Sequence, residues 1–102
     1  MRAEDANVNA RNNDDETPVY VAAKKGHSAA IAALHAAGAD VNATTSGTTP
    51  VYVAAENGHT EAITSLITAG ADVNILKPDG TTSVYAASLR GYAETIVVLH
   101  AA

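Results

Sequence analysis

Residues 49–75 read TPVYVAAENGHTEAITSLITAGADVNI, and this segment decides the fold because the chain contains it in three versions. One copy, TPVYVAAKKGHSAAIAALHAAGADVNA, begins at Thr17, and a looser copy, TSVYAASLRGYAETIVVLHAA, begins at Thr82. The copies are spaced by 32 and 33 residues, and all seven glycines fall at three positions of that period. Self-similarity at this spacing predicts a stack of similar supersecondary units.

Each unit carries the signals of two short helices. Thr17 and Thr49, each followed by proline, are typical helix N-caps, and Thr82 keeps the cap without the proline. The first helix should end at a glycine in left-handed backbone. The three glycines at this position are Gly26, Gly58 and Gly91.

The second helix follows at once and is amphipathic, with its larger apolar residues at helical spacing. Ser28 and Thr60 are its expected N-caps, and Gly38 or Gly70 closes it before a polar, turn-rich loop. Helices this short are marginal alone because helix nucleation is costly. About three stacked units are needed to bury a continuous core, and the chain contains three.

The chain of 102 residues is expected to form one domain, with units at approximately 4–38, 39–70 and 71–102. Hydrophobic residues make up 47% of it, but 23 of them are alanine, and phenylalanine is absent. Such a core suits helices that pack closely. The absence of cysteine excludes a disulfide framework and a thiolate metal site and argues against a small oxidised secreted domain. We expect a cytoplasmic or other intracellular location.

Charge and hydropathy exclude several kinds of partner. Six basic against eleven acidic residues give a net charge of −5, without the basic surface that attracts nucleic acid or anionic membranes. No apolar stretch approaches the roughly 20 residues of a membrane span. The polar, acidic N-terminus is unlike a signal peptide. We therefore predict no nucleic-acid partner and no membrane association.

The repeated pattern resembles the ankyrin repeat family, in which G-x-T-P-L-H-x-A-A-x-x-G-H precedes an amphipathic helix and G-A-D-V-N. The matching motifs include Thr49-Pro50, Gly58-His59 and residues 70–74, and the likeness covers nearly the whole chain. The resemblance implies an all-α repeat solenoid. In this fold, antiparallel helix pairs stack into an L-shaped array, and β-turn or hairpin-like loops project from one edge as fingers.

The sequence departs from the family pattern at three places. Each unit has Val-Tyr where the family has Leu-His, so a phenol that could reach a loop carbonyl replaces the imidazole. We expect these tyrosines to form a ladder along the first helices, covering the alanines beneath. Asp15 stands at a turn-glycine position and should tolerate left-handed backbone, and the loop at 43–47 is one residue shorter than its counterparts. The tyrosines are Tyr20, Tyr52 and Tyr85.

The four histidines raise a metal-site hypothesis that their spacing argues against. The resemblance places His27 and His59 at the family's structural Gly-His turn, and His35 and His100 are expected to lie partly buried on the second helix. The acidic run at 12–16 lacks the ligand spacing of a calcium loop and is interpreted as a solvated turn. Because nucleophile and phosphate-loop motifs are also absent, we predict no enzyme activity, no metal and no cofactor.

The resemblance implies a protein–protein interaction module that binds a protein partner through its fingers and the exposed sides of its first helices. These positions also differ most among the copies, and Leu89 is the most suggestive because its counterparts are charged. The alternative is an engineered or excised scaffold without a native partner. The implied contact residues are Asn13, Asp14, Glu16, Lys24, Lys25, Thr45, Ser46, Thr48, Glu56, Asn57, Pro78, Asp79, Thr81, Leu89 and Arg90.

The two ends of the repeat region lack recognisable polar capping units. Repeat arrays without such caps leave apolar flanks in water. The flank of the third unit is expected to expose parts of Ile96, Val98 and Leu99, and that of the first unit parts of its alanine-rich second helix. We therefore expect weak end-to-end self-association and low stability of the isolated chain.

Overall fold

The structure is a computed structural model that describes residues 7–102, so the predicted start of the first unit at residue 4 lies outside the described residues. Within that range the chain forms six helices and no strands, which confirms the predicted all-α repeat fold. None of these helices has the length and apolar character to cross a membrane. The helices are α1 (Pro18–Lys25), α2 (Ser28–Ala36), α3 (Pro50–Glu56), α4 (Thr60–Thr68), α5 (Ser83–Arg90) and α6 (Ala93–Ala101).

Threonine hydroxyl groups cap the N-termini of all three first helices, as predicted. Oγ1 of Thr17 accepts a hydrogen bond from the backbone N–H of Tyr20 at 3.1 Å, and equivalent bonds begin α3 and α5. Each bond satisfies a donor that the first turn of a helix cannot pair internally. Proline follows the cap in α1 and α3, whereas Ser83 follows it in α5.

Two of the three first helices end where the sequence predicts. Gly26 and Gly91 close α1 and α5 with φ values of 77° and 72°, a conformation that glycine adopts most readily. In α3 the helix ends at Glu56 and Asn57 is its C-cap, so the predicted cap is wrong by one residue, although Gly58 has the predicted left-handed backbone with φ 69°. The carbonyl of Val53 accepts two hydrogen bonds from Asn57, from the side-chain amide at 2.8 Å and from the backbone N–H at 3.3 Å, and both hold this end of the helix.

The predicted N-caps of the second helices are wrong. The caps are His27 and His59, which make no capping bond through their side chains, and Ser28 and Thr60 already lie inside the helices. The carbonyl of His27 accepts the N–H of Ile31, which makes it the first helical acceptor. The tight glycine turn thus puts the non-helical residue directly after the glycine, so each hydroxyl comes one position too late to cap.

The helices form two layers, with α1, α3 and α5 side by side in one and α2, α4 and α6 in the other. Small side chains let the layers approach, and Ala22, Ala54 and Ala87 are buried at one equivalent position. Their presence explains how an alanine-rich sequence packs densely. The larger aliphatic side chains of the core are Val19, Ile31, Val41, Val51, Val53, Ile63, Leu66 and Leu99.

The exposure of α6 agrees with the prediction for Ile96 and Val98, which are partly exposed, and differs from it for Leu99. Leu99, expected to be partly exposed, is buried, because it is equivalent to Leu66 and points into the same core. Ile96 and Val98 are half-buried, and Val97 is the exposed residue at 67%. The large apolar residue of this helix that is most open to solvent is therefore Val97, which the prediction did not include.

The three tyrosines are unevenly buried, unlike the predicted ladder. Tyr52 in the central unit is only 5% exposed, Tyr20 is half-buried, and Tyr85 is 50% exposed on α5, which has one first helix beside it. The hydroxyl of Tyr52 lies 3.2 Å from Oγ1 of Thr81, so the phenol reaches a side chain and not the expected loop carbonyl. Nζ of Lys77 lies 5.0 Å from the centre of the same ring, within cation–π range.

We predict that Tyr52→Ala lowers the free energy of unfolding by about 3 kcal/mol or more, because it removes a buried aromatic ring. Tyr52→Phe should cost about 1 kcal/mol through loss of the hydroxyl contact. Tyr85→Ala is the matched control and should cost much less, since its ring is half exposed. Urea unfolding measures all three, and a loss under about 0.5 kcal/mol for Tyr52→Ala would contradict this interpretation.

Ser83 is an imperfect replacement for the proline of the other units. Its Oγ is buried and has no hydrogen-bond partner within the described chain. Burying an unpaired hydroxyl is unfavourable. The preceding residue, Thr82, has φ −103° and ψ 166°, an extended conformation that a following proline requires and that the other two caps also adopt.

Ser83→Pro should therefore raise the free energy of unfolding by about 1–2 kcal/mol, because it removes the unpaired hydroxyl and restricts the unfolded chain. Ser83→Ala removes the hydroxyl alone and separates the two contributions. Both variants are compared with the parent chain by urea unfolding. A proline variant less stable than the parent would show that α5 does not accept the geometry of α1 and α3.

Candidate partner-binding face

Three hairpin-like loops, which we call the fingers, precede the first helices. In fingers 12–16 and 77–81 the N–H of the first residue bonds to the carbonyl of the fifth, at 3.0 and 3.1 Å. Finger 45–48 is tighter, because Thr45 and Thr48 bond each other's backbone in both directions at 2.8 and 2.9 Å. The missing residue in the second loop therefore gives this finger a different shape.

The finger tips use left-handed backbone. Asp15 has φ 62°, as predicted from its place at a glycine position. Ser46 and Gly47 have φ 51° and 80°. Two successive positive φ values are typical of the two-residue turn that joins the arms of a tight hairpin. Asp15 and Ser46 hold this geometry without being glycine, which requires support from the surrounding residues.

Neighbouring fingers support each other. Nη1 of Arg11 donates to the carbonyl of Asp15 at 2.9 Å and to the carbonyl of Thr44 at 2.8 Å, which joins the first finger to the second. The ring of Pro78 lies so close to Gly47 that a Cβ there would be 2.5 Å from it, which joins the second finger to the third. The three fingers therefore form one continuous edge.

Two finger carboxylates are engaged within the protein. The amide of Asn12 donates to Glu16 and lowers the pKa of that carboxyl, with Nζ of Lys24 also 3.5 Å away. The hydroxyl of Thr81 donates to Asp79 at 2.6 Å and its backbone N–H at 3.0 Å, and these bonds lower the pKa of Asp79. Both acids are therefore ionised at neutral pH, where they help to hold the shape of their loops.

The last turns of the first helices carry different side chains in each unit. Lys24 and Lys25 are exposed on α1, Glu56 is half-buried on α3, and Leu89 and Arg90 are exposed on α5. Leu89 is 68% exposed at the position that is charged in the other units. A large apolar side chain this open to water does not contribute to the core.

Most of the predicted contact residues lie on the finger edge or at these helix ends. The ion pair of Glu16 with Lys24 shows that the two regions adjoin in the first unit. The half-buried members of the set are Glu16, Thr48, Glu56 and Thr81. The exposed members are Asn13, Asp14, Lys24, Lys25, Ser46, Asn57, Pro78, Asp79, Leu89 and Arg90.

Thr45 does not fit the predicted face, because it is buried. Its hydroxyl donates to the carbonyl of Asp15 at 3.2 Å, and its backbone pairs with Thr48. In the shorter second loop this residue stands at the base of the finger instead of near its tip. It supports the edge and is not available to a partner.

Sequence reasoning missed two apolar residues near Leu89. Val84 and Tyr85 are 40% and 50% exposed on the same helix, although the equivalent Val51 and Tyr52 are buried. Position in the repeat predicts burial for both. Their place in the third unit could have predicted this exposure. In its layer, α5 packs against α3 on one side, and the other side is open within the described residues.

The histidines have structural or exposed positions. Nε2 of His59 lies 3.0 Å from the carbonyl of Lys24, so this ring joins the second unit to the first. His27, at the equivalent position, is exposed. The predicted partial burial of His35 and His100 is wrong, because both side chains are exposed. In the layer of α2, α4 and α6, the outer helices α2 and α6 each have a neighbour, α4, on one side alone. Within residues 7–102 no three potential ligand side chains cluster around a metal position.

Comparison with known proteins agrees with this geometry. The family model described as ankyrin repeats (3 copies) matches residues 1–77 and, in a second match, residues 34–101. A search of curated proteins gives no significant match. The two family matches together include all six helices. The arrangement of these helices in pairs joined by finger loops agrees with the family assignment. The chain therefore belongs to the ankyrin repeat family.

Proposed function

We propose that this chain is a non-enzymatic module that binds a protein partner through the finger edge and the adjoining ends of the first helices. Ankyrin repeats are generally protein–protein interaction modules. The observation that carries the proposal is Leu89, 68% exposed beside Arg90, where the other units have charged or amide side chains. A few anchor residues dominate most interfaces, and arginine is enriched among them.

The hydrogen bonds that hold the finger edge together support the same proposal. Arg11 ties two fingers together through main-chain carbonyls, and the carboxylate of Asp79 is held by Thr81. A surface ordered before binding loses less conformational entropy when a partner docks. The backbone that carries the exposed side chains of this edge therefore loses little further conformational entropy when a partner binds.

We predict that Leu89→Asp combined with Arg90→Glu weakens partner binding at least tenfold, about 1.4 kcal/mol. A protein partner is first identified in a binding screen with the unmodified chain. Titration calorimetry then measures the dissociation constant of that partner for the unmodified chain and for each variant. Val97→Asp is the matched control, because Val97 is 67% exposed on α6, away from the fingers. Its dissociation constant should equal that of the parent chain.

An unchanged dissociation constant for the double variant would overturn the assignment of the face. A screen that yields no protein partner would favour the alternative, an engineered or excised scaffold without a native partner. A hydrolase or metal-dependent activity in purified chain would contradict the non-enzymatic assignment.

The proposal includes the organisation of the chain. Residues 1–102 would form one domain of three units, at approximately 4–38, 39–70 and 71–102, with neither nucleic acid nor cofactor as a ligand. Weak self-association through the two flanks of the stack is part of the same proposal. Its support is the exposure of Val84 and Tyr85, whose equivalents in the central unit are buried.

A further inference from the structure

The flank of the third unit exposes positions that the other units cover. Val84 is 40% exposed, whereas the equivalent Val51 is 1% exposed. Ser88 is exposed, whereas the equivalent Ala55 is fully buried. A Cβ on Gly91 would have no atom within 4 Å apart from those of its neighbours along the chain. Within residues 7–102 this flank therefore leaves open the positions that are covered at the internal junctions.

The flank of the first unit shows the opposite side of the same junction. Ala30 is exposed, whereas its equivalents Ala62 and Thr95 are buried beneath the preceding units. His27 is exposed, whereas the equivalent His59 is half-buried against the first unit. The two flanks therefore present the two complementary sides of one type of contact.

The internal junctions define how such sides meet. A Cβ on Gly26 would lie 2.7 Å from Nδ1 of His59, and Nε2 of the same ring lies 3.0 Å from the carbonyl of Lys24. At the next junction a Cβ on Gly58 would lie 3.1 Å from the ring of Tyr92. In both places a ring from the following unit covers the turn glycine of the preceding unit.

We infer that a second copy of this chain docks its first unit on the third unit of another copy, in the register of the internal junctions. His27 of one copy then covers Gly91 of the other, and its Nε2 meets the carbonyl of Leu89, which is equivalent to Lys24. The inference rests on the proposed self-association and assigns its surfaces. It does not depend on the partner-binding face.

A second internal contact can be repeated in this register. Oδ1 of Asn42 accepts the backbone N–H of Asp72 at 2.9 Å across an internal junction. The equivalent groups, Oδ1 of Asn74 and the N–H of Asn7, form no hydrogen bond within residues 7–102. In the docked pair, Asn74 of one copy accepts from Asn7 of the other. Two contacts that hold the internal units together are thus available at both flanks.

The association is weak and open-ended. Ser88 puts a hydroxyl where internal junctions have alanine, and two free chains lose translational and rotational freedom that units in one chain do not. The contact joins different surfaces on the two copies, so each added chain leaves one flank of each kind open. The assembly therefore grows with concentration and does not stop at a dimer.

The test blocks each flank separately in the 102-residue chain. Ala30→Glu places a charge on the first flank, and Ser88→Glu places the same charge on the third. Both positions are exposed, so the folded chain accepts them. Thr64→Glu is the matched control, exposed on α4 of the central unit. Sedimentation equilibrium from micromolar to millimolar concentration should show at least tenfold weaker association for the two flank variants and no change for the control.

Mixing the two flank variants tests the register. Each keeps one intact flank, so an equimolar mixture should form a dimer of twice the 10.3 kDa chain mass and grow no further. A mixture that stays monomeric, or association that survives both substitutions, overturns this register but leaves self-association itself standing. An unmodified chain that is monomeric at millimolar concentration overturns both. None of these outcomes bears on the proposed partner-binding face, which is tested separately by the double variant of Leu89 and Arg90.

Discussion

Every unit depends on its neighbours, because helices of seven to nine residues cannot bury their apolar sides alone. The stack solves this by packing like helices on like helices in two layers. Each junction also receives directional contacts. A ring from the following unit sits on a turn glycine, and an asparagine side chain accepts a backbone N–H from the next loop. These contacts fix the register that apolar packing alone leaves loose.

Burial follows position in the stack more than residue type. In the central unit all the residues from Pro50 to Ala55 are buried, because units lie on both sides. In the third unit the equivalent valine and tyrosine are partly open, and serine replaces both the proline after the cap and one packing alanine. The central unit therefore has the most completely buried first helix, and local opening should begin at the outer units.

The sequence predicted many of the features that depend on local chemistry. It did not predict the N-caps of the second helices, because the glycine turn puts His27 and His59 there in place of the hydroxyl residues that follow them. Threonine caps, left-handed Asp15 and the altered second finger follow from side chains within a few residues of each other. Features that depend on a finite stack were predicted wrongly, because the period treats equivalent positions alike. His35 and His100 are exposed for this reason. The burial of Thr45 has another cause, since a one-residue change in loop length moves it to the finger base.

Several bonds between units leave the exposed positions of the finger edge free to vary, although Gly47 beneath Pro78 and Thr81 beside Tyr52 are tied to their neighbours. Arg11 and His59 contact main-chain carbonyls of neighbouring units, and Asn42 accepts a main-chain N–H. Since these partners are backbone groups, the bonds do not depend on which side chains the neighbouring finger or helix end carries. The finger tips and helix ends can therefore differ between units while the stack keeps its geometry. A surface with this property can acquire a new binding specificity without a new fold, which is the physical basis for a repeat scaffold that recognises proteins.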